Sequence, residues 1–307
     1  MASFEQIATE RQTLNDTVRS FFRSRGYIEV ETPILVASPG MEPNLSPFET
    51  IVKDHTGRSQ QGALVTSPEY SMKKLLGHGL QKIFTITKVF RNGEEWGGTH
   101  SPEFSMLEWY AQGADYRACM DKTEALVQAV FEALGARKPL PTFRRERVVD
   151  LFFRYTGRDL PSIVASESDT VSDAFYRLFV ERVEPNLPKD PIFVYDYPMY
   201  QAALARLTPD KQYGERFELY IDGLELCNGF TELVNATEQR LRFEEEACER
   251  MALQKTVFPI DEEFLRLLSS VGEPTFGNAL GLDRLHMAAT GRSRLADVLL
   301  FPIEKLF

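Results

Sequence analysis

Hydrophobic positions recur at helical spacing at the start of the chain. In residues 4–25 the apolar positions are Phe4, Ile7, Leu14, Val18, Phe21 and Phe22. This spacing predicts an amphipathic helix that Gly26 ends, because glycine readily adopts the left-handed conformation that terminates helices. Residues 27–33 resemble a short strand, and Pro33 favours a sheet edge or an interface since proline lacks a backbone donor. A strand that simply ends at Pro33 is an equally good interpretation.

Strand-like composition, rich in aromatic and β-branched residues, occurs at residues 82–90, 104–110 and 217–233. The first two stretches predict the strands of one hairpin. Helical spacing returns at residues 115–136 and 236–256. Adjacent strands with helices around them predict an α+β fold with a mostly antiparallel sheet.

The remaining segments are less regular. Residues 34–61 contain several prolines and glycines, which predicts loops with short strands. Residues 141–215 carry many prolines among short mixed segments, and this indicates an inserted subregion rather than a flexible linker. The acidic run at residues 244–246 is interpreted as a solvated helix face.

Composition indicates a globular protein with a substantial core. The chain has 307 residues, of which 43% are hydrophobic and 26% charged. We expect a single domain over residues 1–307. The net charge is −10, from 45 acidic and 35 basic residues, and no basic cluster stands out. Nucleic-acid binding is therefore not expected, because it requires many phosphates to be neutralised at once.

Cysteine usage and the N-terminus predict a cytoplasmic protein. Cys119, Cys227 and Cys248 are far apart and form no C-x-x-C pair, which argues against a disulfide framework or a zinc site. The N-terminus lacks the basic start and apolar core of a signal peptide, and no apolar run approaches the ~20 residues that span a bilayer. We therefore expect a reducing compartment and no membrane association.

A carboxylate lies among apolar residues in the predicted strand at 104–110. Strand alternation places Glu108 on one face with Phe104, Met106 and Tyr110. A carboxylate avoids dry surfaces unless a cation or hydrogen-bond donors compensate it. Glu108 therefore requires a cationic partner, either a ligand amine or an internal Lys or Arg. Taken alone, the internal ion pair is the simpler interpretation.

The third strand-rich block adds further oxygen ligands. Asn228 and Glu232 share a strand parity that Glu225 does not, and Gly229 is a candidate bulge that re-aims one of them. Hard oxygen ligands of this kind suit magnesium held jointly with a triphosphate. For Glu218, a solvent-facing position on an edge strand is an equal alternative.

Two arginines are carried by separate motifs. Arg91 precedes a polar loop, and Arg284 ends the glycine-containing segment 277–284, in the first turn of a predicted helix. Arginines from two elements can hold a triphosphate across its length, which core packing does not require. A helix-start arginine paired with Asp283 or Glu304 is the alternative. The glycine pattern is neither a Walker loop nor a dinucleotide fingerprint.

Together these pieces resemble the three signature motifs of class II aminoacyl-tRNA synthetases, and specifically the lysyl-type catalytic core. The first motif resembles the opening helix with residues 26–33, the second residues 90–110 and the third residues 281–284. Residues 66–70 and 225–232 extend the likeness over nearly the whole chain.

The resemblance implies a class II antiparallel sheet flanked by helices, ATP and Mg²⁺ as cofactors, and a homodimer formed through the first motif. Lysyl-tRNA synthetases carry an anticodon-binding OB domain ahead of this core. We expect none here, because the first motif begins close to Met1.

A stand-alone lysyl-type core is similar to the synthetase relatives that attach (R)-β-lysine to a lysine of elongation factor P. Residues 106–110 favour this assignment, as does Ala279, where lysyl synthetases usually have glycine. Two alternatives remain. One is a truncated lysyl-tRNA synthetase paralogue that activates α-lysine for RNA, and the other is a non-catalytic amino acid sensor.

The resemblance also implies residue roles. Arg91 and Arg284 would be catalytic, holding the α- and γ-phosphates. The implied ATP-binding residues are Arg91, Asn92, Gly93, Glu94, His100, Ser101, Phe104, Glu225, Leu226, Gly281 and Arg284. The implied substrate-binding residues are Ser67, Pro68, Glu69, Glu108, Tyr110, Asn228, Glu232 and Ala279. The implied metal ligands are Glu218 and Glu225.

One departure from the family pattern lies in the loop after Arg91. The family usually has Arg-Asn-Glu, whereas here Gly93 follows Asn92 and the stretch to His100 is one residue longer. Glu94 is the candidate substitute for the missing acid.

Overall fold

A computed structural model describes residues 2–136, 140–165, 170–202 and 204–307. Its strands are β1 (Ile28–Glu29), β2 (Leu35–Val36), β3 (Glu49–Lys53), β4 (Ser59–Leu64), β5 (Lys82–Phe90), β6 (Glu103–Gln112), β7 (Arg144–Arg147), β8 (Ile192–Pro198), β9 (Tyr213–Ile221), β10 (Leu224–Thr231) and β11 (Thr275–Gly281). Its α-helices are α1 (Phe4–Arg23), α2 (Glu69–Gly77), α3 (Tyr116–Ala133), α4 (Val148–Thr156), α5 (Val171–Leu178), α6 (Ala236–Ala252), α7 (Glu262–Leu268) and α8 (Leu282–Thr290). Among these helices, none combines the length and hydrophobicity needed to span a bilayer.

An eight-stranded sheet forms the centre of the molecule, in the order β1-β5-β6-β11-β10-β9-β8-β7. All neighbouring strands are antiparallel except the outermost pairs, β1 with β5 and β7 with β8. The α+β prediction is therefore confirmed. β1 lies at an edge, as the proline pattern after it favours, and β2, β4 and β3 form a separate small sheet.

The opening helix is formed and packed as its pattern predicts. Ser3 caps it by accepting a hydrogen bond from Gln6 N at 3.1 Å. Its apolar face is buried, and the Phe22 ring lies 4.9 Å from Phe84 and 5.3 Å from Trp109. Each fully buried side chain of this size stabilises the fold by about 1.5–3 kcal/mol. The helix is thereby fixed against the sheet.

The predicted hairpin at residues 82–110 is also confirmed. β5 pairs with β6, with Phe84 opposite Trp109 and Thr85 opposite Glu108. Leu107 and Trp109 face the core formed with α1, α3 and α8. Tyr110 belongs to the opposite face, where α2, α6 and α7 pack.

The proline-rich segment forms a third packed region, since α4 and α5 cover β8 and β9 around Phe152, Phe175 and Phe179. This region shares its sheet face with the α2, α6 and α7 cluster. One prediction about the surface is wrong in part. Glu246 is half-buried, and burial, Glu42 and Glu69 raise its pKa to about 8, so only its two acidic neighbours are fully solvated.

Candidate functional site

Four polar or small side chains form one row across the centre of the sheet. The strand register pairs Glu108 of β6 with Ala279 of β11, Ala279 with Asn228 of β10, and Asn228 with Glu218 of β9. The row runs between the two helical clusters that share this face. A small residue at its centre leaves space above the sheet between an acidic group at each end.

The β6 end of the row is a buried acid held by hydroxyl groups. The Glu108 side chain accepts hydrogen bonds from Ser67 Oγ at 2.5 Å and Tyr110 Oη at 2.8 Å, and only 1% of the residue is exposed. No cation of the described residues lies within ion-pair distance of it, so the internal ion pair, which is the simpler interpretation only for Glu108 taken alone, is not formed. Burial and nearby Glu69 raise its pKa to about 8.

A lysine that the sequence motifs did not single out lies beside this acid. Lys73 Nζ lies 2.5 Å from both Glu69 Oε1 and Glu232 Oε2, and the Lys73 side chain is 1% exposed. Burial disfavours its charge, but Glu232 and Glu69 outweigh burial and raise the pKa of Lys73. The four-residue spacing of Glu69 and Lys73 on one helix was the available sequence signal.

Gly277 brings the second acid into the same pocket. A Cβ at this position would lie 2.1 Å from Glu232 Oε1 and 2.4 Å from Tyr110 Cε1. Only glycine therefore permits both side chains to approach β11. Burial raises the pKa of Glu232 to about 8 although Lys73 opposes this, and Glu108 contributes to the rise. Glu108 and Glu232 thus lie in one acidic pocket, as predicted.

Arg91 provides an uncompensated positive charge near the pocket. Its Nε is buried without a hydrogen-bond partner, and its guanidinium carbon lies 5.2 Å from the centre of the Phe104 ring. Within the described residues no carboxylate forms an ion pair with it. A half-buried guanidinium with no carboxylate in ion-pair contact is suited to a bound anion.

Arg284 extends from the first turn of α8 toward the loop that follows Arg91. It donates from Nη1 to Glu225 O at 2.9 Å and from Nε to Thr99 O at 3.2 Å, and its Nη2 lies 2.9 Å from His100 Nε2. Burial and Arg284 lower the pKa of His100, so the ring is neutral and can accept from the guanidinium.

The alternative pairing of Arg284 with Asp283 or Glu304 is wrong. Asp283 instead pairs with Arg11 of α1 and accepts from Ser105 N at 2.8 Å. Glu304 pairs with Arg294 at 3.6 Å.

The β9 end of the row holds Glu218 tightly. Its Oε2 accepts from Tyr197 Oη at 2.5 Å and Tyr220 Oη at 2.6 Å, and its Oε1 accepts from Arg216 Nη2 at 2.6 Å. Glu218 is 8% exposed on an inner strand, so the solvent-facing edge position is wrong.

Glu225 turns toward Glu218 through a bulge. The register of β10 shifts between Glu225 and Cys227, which changes the parity of Glu225. Gly229, the expected bulge, serves a different purpose, because a Cβ there would lie 2.7 Å from the Phe217 ring. Burial and Glu218 raise the pKa of Glu225 to about 7, while Arg284, 3.5 Å away, opposes the rise.

The two acids fit a hard cation with Glu225 as the principal ligand. Glu218 already accepts three hydrogen bonds of the about four that a carboxylate can take. Glu225 has spare lone pairs, and burial and Glu218 raise its pKa although nearby arginines oppose the rise. Since the described residues contain no cluster of three metal-ligating side chains, other oxygens must complete the coordination of a Mg²⁺ ion.

The remaining predicted site residues differ in how accessible they are to a ligand. The Leu226 side chain is packed in the core, and Ser101 is buried beside a groove against α1. Only backbone contacts to a ligand are open to these two. Pro68 caps α2 directly before Glu69, and Gly281 precedes α8 with its Cα face open, since an added Cβ would come no closer than 3.8 Å to Arg284.

The loop after Arg91 lies between these motifs. Asn92 and Gly93 are exposed, and Asn92 N donates to Ser46 O at 2.6 Å. Glu94 is half-buried and raises the pKa of His100, opposing Arg284. Glu94 is thus oriented toward the arginine-rich end of the site, where the missing acid was expected.

Arg216 is a second residue that the sequence motifs missed. Its Nε donates to Asn228 Oδ1 at 3.0 Å, and its guanidinium lies 4.6 Å from the Tyr197 ring centre. Alternation along β9 places Arg216 on the same face as Glu218, and this parity was the available signal. Arg216 fixes the amide of Asn228 and one acid of the row together.

The site combines an acidic pocket with nearby arginines on an antiparallel sheet. Comparison with known proteins identifies the enzyme class that has this arrangement. Residues 2–305 match the family model described as tRNA synthetases class II (D, K and N). The chain belongs to this family.

Within the family, several curated relatives carry one name, elongation factor P--(R)-beta-lysine ligase. The relative from Enterobacter sp. (strain 638) is 37% identical over 96% of this chain and 94% of its own length. Those from Proteus mirabilis (strain HI4320) and Edwardsiella ictaluri (strain 93-146) are 39% and 38% identical, covering 94% and 99% of this chain and 92% and 99% of their own.

Proposed function

We infer that the protein is a ligase that activates (R)-β-lysine with ATP and transfers it to a lysine side chain of elongation factor P. The observation that carries this proposal is the row from Glu108 to Glu218, with an acidic pocket at one end and Arg91 and Arg284 nearby. A substrate with two ammonium groups and one carboxylate fits this polarity. The relatives named elongation factor P--(R)-beta-lysine ligase support this choice of amino acid and acceptor.

In the first step, the carboxylate of the amino acid attacks the α-phosphorus of ATP. A phosphorus–oxygen bond to the amino acid forms, the bond to the bridging oxygen breaks, and pyrophosphate leaves. Arg91 holds the carboxylate and the α-phosphate together, and Arg284 holds the outer phosphates. Both guanidinium groups neutralise charge that spreads over the oxygens, and no protein nucleophile is required. Phe104 stacks against the adenine.

The acidic pocket orients the amino acid for this attack. Glu108 and Glu232 bind its ammonium groups, with Ser67 and Tyr110 fixing Glu108. A bound Mg²⁺ ion at Glu225 and Glu218 would neutralise the phosphates.

In the second step, the ε-amine of a lysine on elongation factor P attacks the acyl carbon of the adenylate. A carbon–nitrogen bond forms, AMP leaves, and the amine loses a proton. The acceptor lysine must therefore enter beside Arg91. The three free thiols fit a reducing compartment, so we place the reaction in the cytoplasm.

The protein acts as a homodimer formed through α1 in this proposal. A groove lies between α1 and the residues from Val298 onward. Its C-terminal wall is apolar and includes Leu299 and Phe301, whereas α1 contributes charged side chains such as Arg11 and Asp16. Phe301 is 75% exposed. The family resemblance assigns this helix to the subunit interface.

Two assays test the proposal. ATP–pyrophosphate exchange is measured with (R)-β-lysine, α-lysine and no amino acid, and acceptors are then compared by incubating labelled amino acid with elongation factor P or with tRNA. We expect exchange to be fastest with (R)-β-lysine and label to appear on elongation factor P. Preferential labelling of tRNA indicates a lysyl-tRNA synthetase paralogue, and binding without exchange indicates a sensor.

A further inference from the structure

The acidic pocket contains its own cation. Lys73 is as buried as Glu108 and Glu232, and it lies within 2.5 Å of an oxygen of Glu69 and one of Glu232. The Phe230 ring centre lies 5.4 Å from the Lys73 ammonium. A buried lysine is costly, so its position inside a ligand pocket calls for a reason.

Lys73 connects the elements that build the pocket. Its helix begins at Glu69, whose backbone N–H donates to Ser67 Oγ at 3.1 Å, and the same hydroxyl donates to Glu108. Its other partner, Glu232, directly follows β10. One ammonium therefore links α2 to the end of β10, and through Ser67 it influences the acid on β6.

Among Lys73, its two partners and Glu108, the charges match a diamine only when Lys73 is counted. Glu69, Glu108 and Glu232 carry three negative charges when ionised, and Lys73 carries one positive charge. Two more acids, Glu42 and Glu246, interact with Glu69, and their own pKa values are raised, which favours their neutral forms. The net charge of −2 matches a ligand with two ammonium groups. Without Lys73, one buried carboxylate would remain uncompensated after such a ligand has bound.

We propose that Lys73 is a positioning and specificity-determining residue that permanently compensates one carboxylate of the pocket, so that two charges remain for the two ammonium groups of the substrate. This rests on the proposed function for the identity of the substrate. Lys73 itself does not contact the reacting atoms. It acts by opposing the rise that burial causes in the pKa of Glu232, and by holding Glu232 and Glu69 at a fixed separation.

The role predicts shifts of opposite sign in two variants. Lys73→Met keeps the length of the side chain but removes the charge, so Glu108 and Glu232 hold protons to higher pH, because Lys73 lowers the pKa of both. Glu69→Gln removes one acid and retains Lys73, so Glu108 and Glu232 ionise at lower pH, because Glu69 is a cause of the raised pKa of both. If Lys73 had only a structural role, the two variants would not shift the pH dependence in opposite directions.

The experiment measures kcat and KM for (R)-β-lysine in pyrophosphate exchange between pH 6.5 and 9, at saturating ATP. We expect Lys73→Met to raise this KM about tenfold at neutral pH, corresponding to about one unit in a carboxyl pKa, with the KM for ATP nearly unchanged. Its acidic limb in kcat/KM should move to higher pH, and that of Glu69→Gln to lower pH. Lys73→Arg should restore the wild-type profile in part.

Lys74→Met is the matched control, because the neighbouring lysine pairs with Asp261 and Glu263 outside the pocket. Thermal unfolding identifies variants that fail to fold. If Lys73→Met fails to fold, the shift of the acidic limb in Glu69→Gln tests the proposal. The proposal is overturned if the acidic limbs of kcat/KM in the two variants stay at the wild-type pH or move in the same direction. If no diamino acid supports pyrophosphate exchange by the wild-type protein, the proposed function is overturned instead.

Discussion

Glu108 is buried without a charged partner, and Arg91 is half-buried with no carboxylate in ion-pair contact among the described residues. Glu108 is held only by hydroxyls, and Arg91 contacts an aromatic ring. A buried charge without a partner destabilises a protein, so these two positions indicate ligands of opposite sign. Strand alternation was sufficient to predict the burial of Glu108. Lys73 was missed because its second partner, Glu232, comes from a distant segment that only the fold brings beside it.

The two arginines should contribute mainly to the activation barrier. We expect Arg91→Ala or Arg284→Ala to raise it by about 3 kcal/mol or more, roughly a hundredfold in rate, because each removes a preorganised donor for phosphate oxygens. Pyrophosphate exchange at saturating substrates measures this. Arg158→Ala, at an exposed position, is the control. Near wild-type rates for either arginine variant would remove it from the mechanism.

Binding of the amino acid should strengthen with rising pH. The pKa values of Glu108 and Glu232 are raised to about 8 in the unliganded protein, so both bind protons near neutrality. A diammonium ligand requires them ionised, and kcat/KM for the amino acid should therefore increase from pH 7 to about 8.5. The same raised values make the unliganded fold less stable as pH rises through this range.

The measurement is the thermal stabilisation by (R)-β-lysine at pH 6.5 and 8.5. We expect a larger shift at the higher pH in wild type and a smaller difference in Glu108→Gln. An equal shift at both pH values in wild type contradicts the assignment of these acids to amine binding.

At the scale of elements, β11 is the floor of the site. Its glycines differ in purpose, since Gly277 gives space to Glu232 and Tyr110, whereas Gly281 faces open space near Arg284. The hairpin of β5 and β6 could be predicted from sequence because its alternation is local. The bulge in β10 could not, because the parity of Glu225 depends on pairing with two other strands.

Alanine at the two glycines should therefore give different results. Gly277→Ala forces side chains aside in a packed region, so we expect a loss of about 1–3 kcal/mol in stability and a raised KM for the amino acid. Gly281→Ala should leave stability within about 0.5 kcal/mol and raise the KM for ATP instead. Denaturant unfolding and exchange kinetics measure both. Identical effects of the two substitutions on both KM values would argue against separate subsites on β11.

At the scale of the whole molecule, an ion pair links the groove beside α1 to the helix that carries Arg284. Asp283, next to Arg284 on α8, pairs with Arg11 of α1, and Arg11 also lines the groove. The sequence predicted the overall class of fold from its motifs. It did not predict this link, because Arg11 and Asp283 are far apart in the chain.

The groove predicts a dimer in solution. Light scattering should give twice the chain mass of 35.0 kDa. Phe301→Asp should shift the protein toward the monomer, because it places a charge within the proposed interface, and a stable dimer buries about 1,000 Å² or more of total surface. Phe153→Asp, another exposed aromatic position, is the control. A wild-type monomer at micromolar concentration contradicts this expectation.

In the proposed function, the row from Glu108 to Glu218 assigns recognition and chemistry to different strands. The acids proposed to bind amines come from β6, α2 and the residue after β10, whereas the proposed phosphate end depends on β9, the bulge and α8. Ala279 and Asn228 lie between the two ends. The two halves are thus independent targets for engineering: enlarging or reshaping the amine end could admit diamines of other lengths while the machinery of adenylation is left intact.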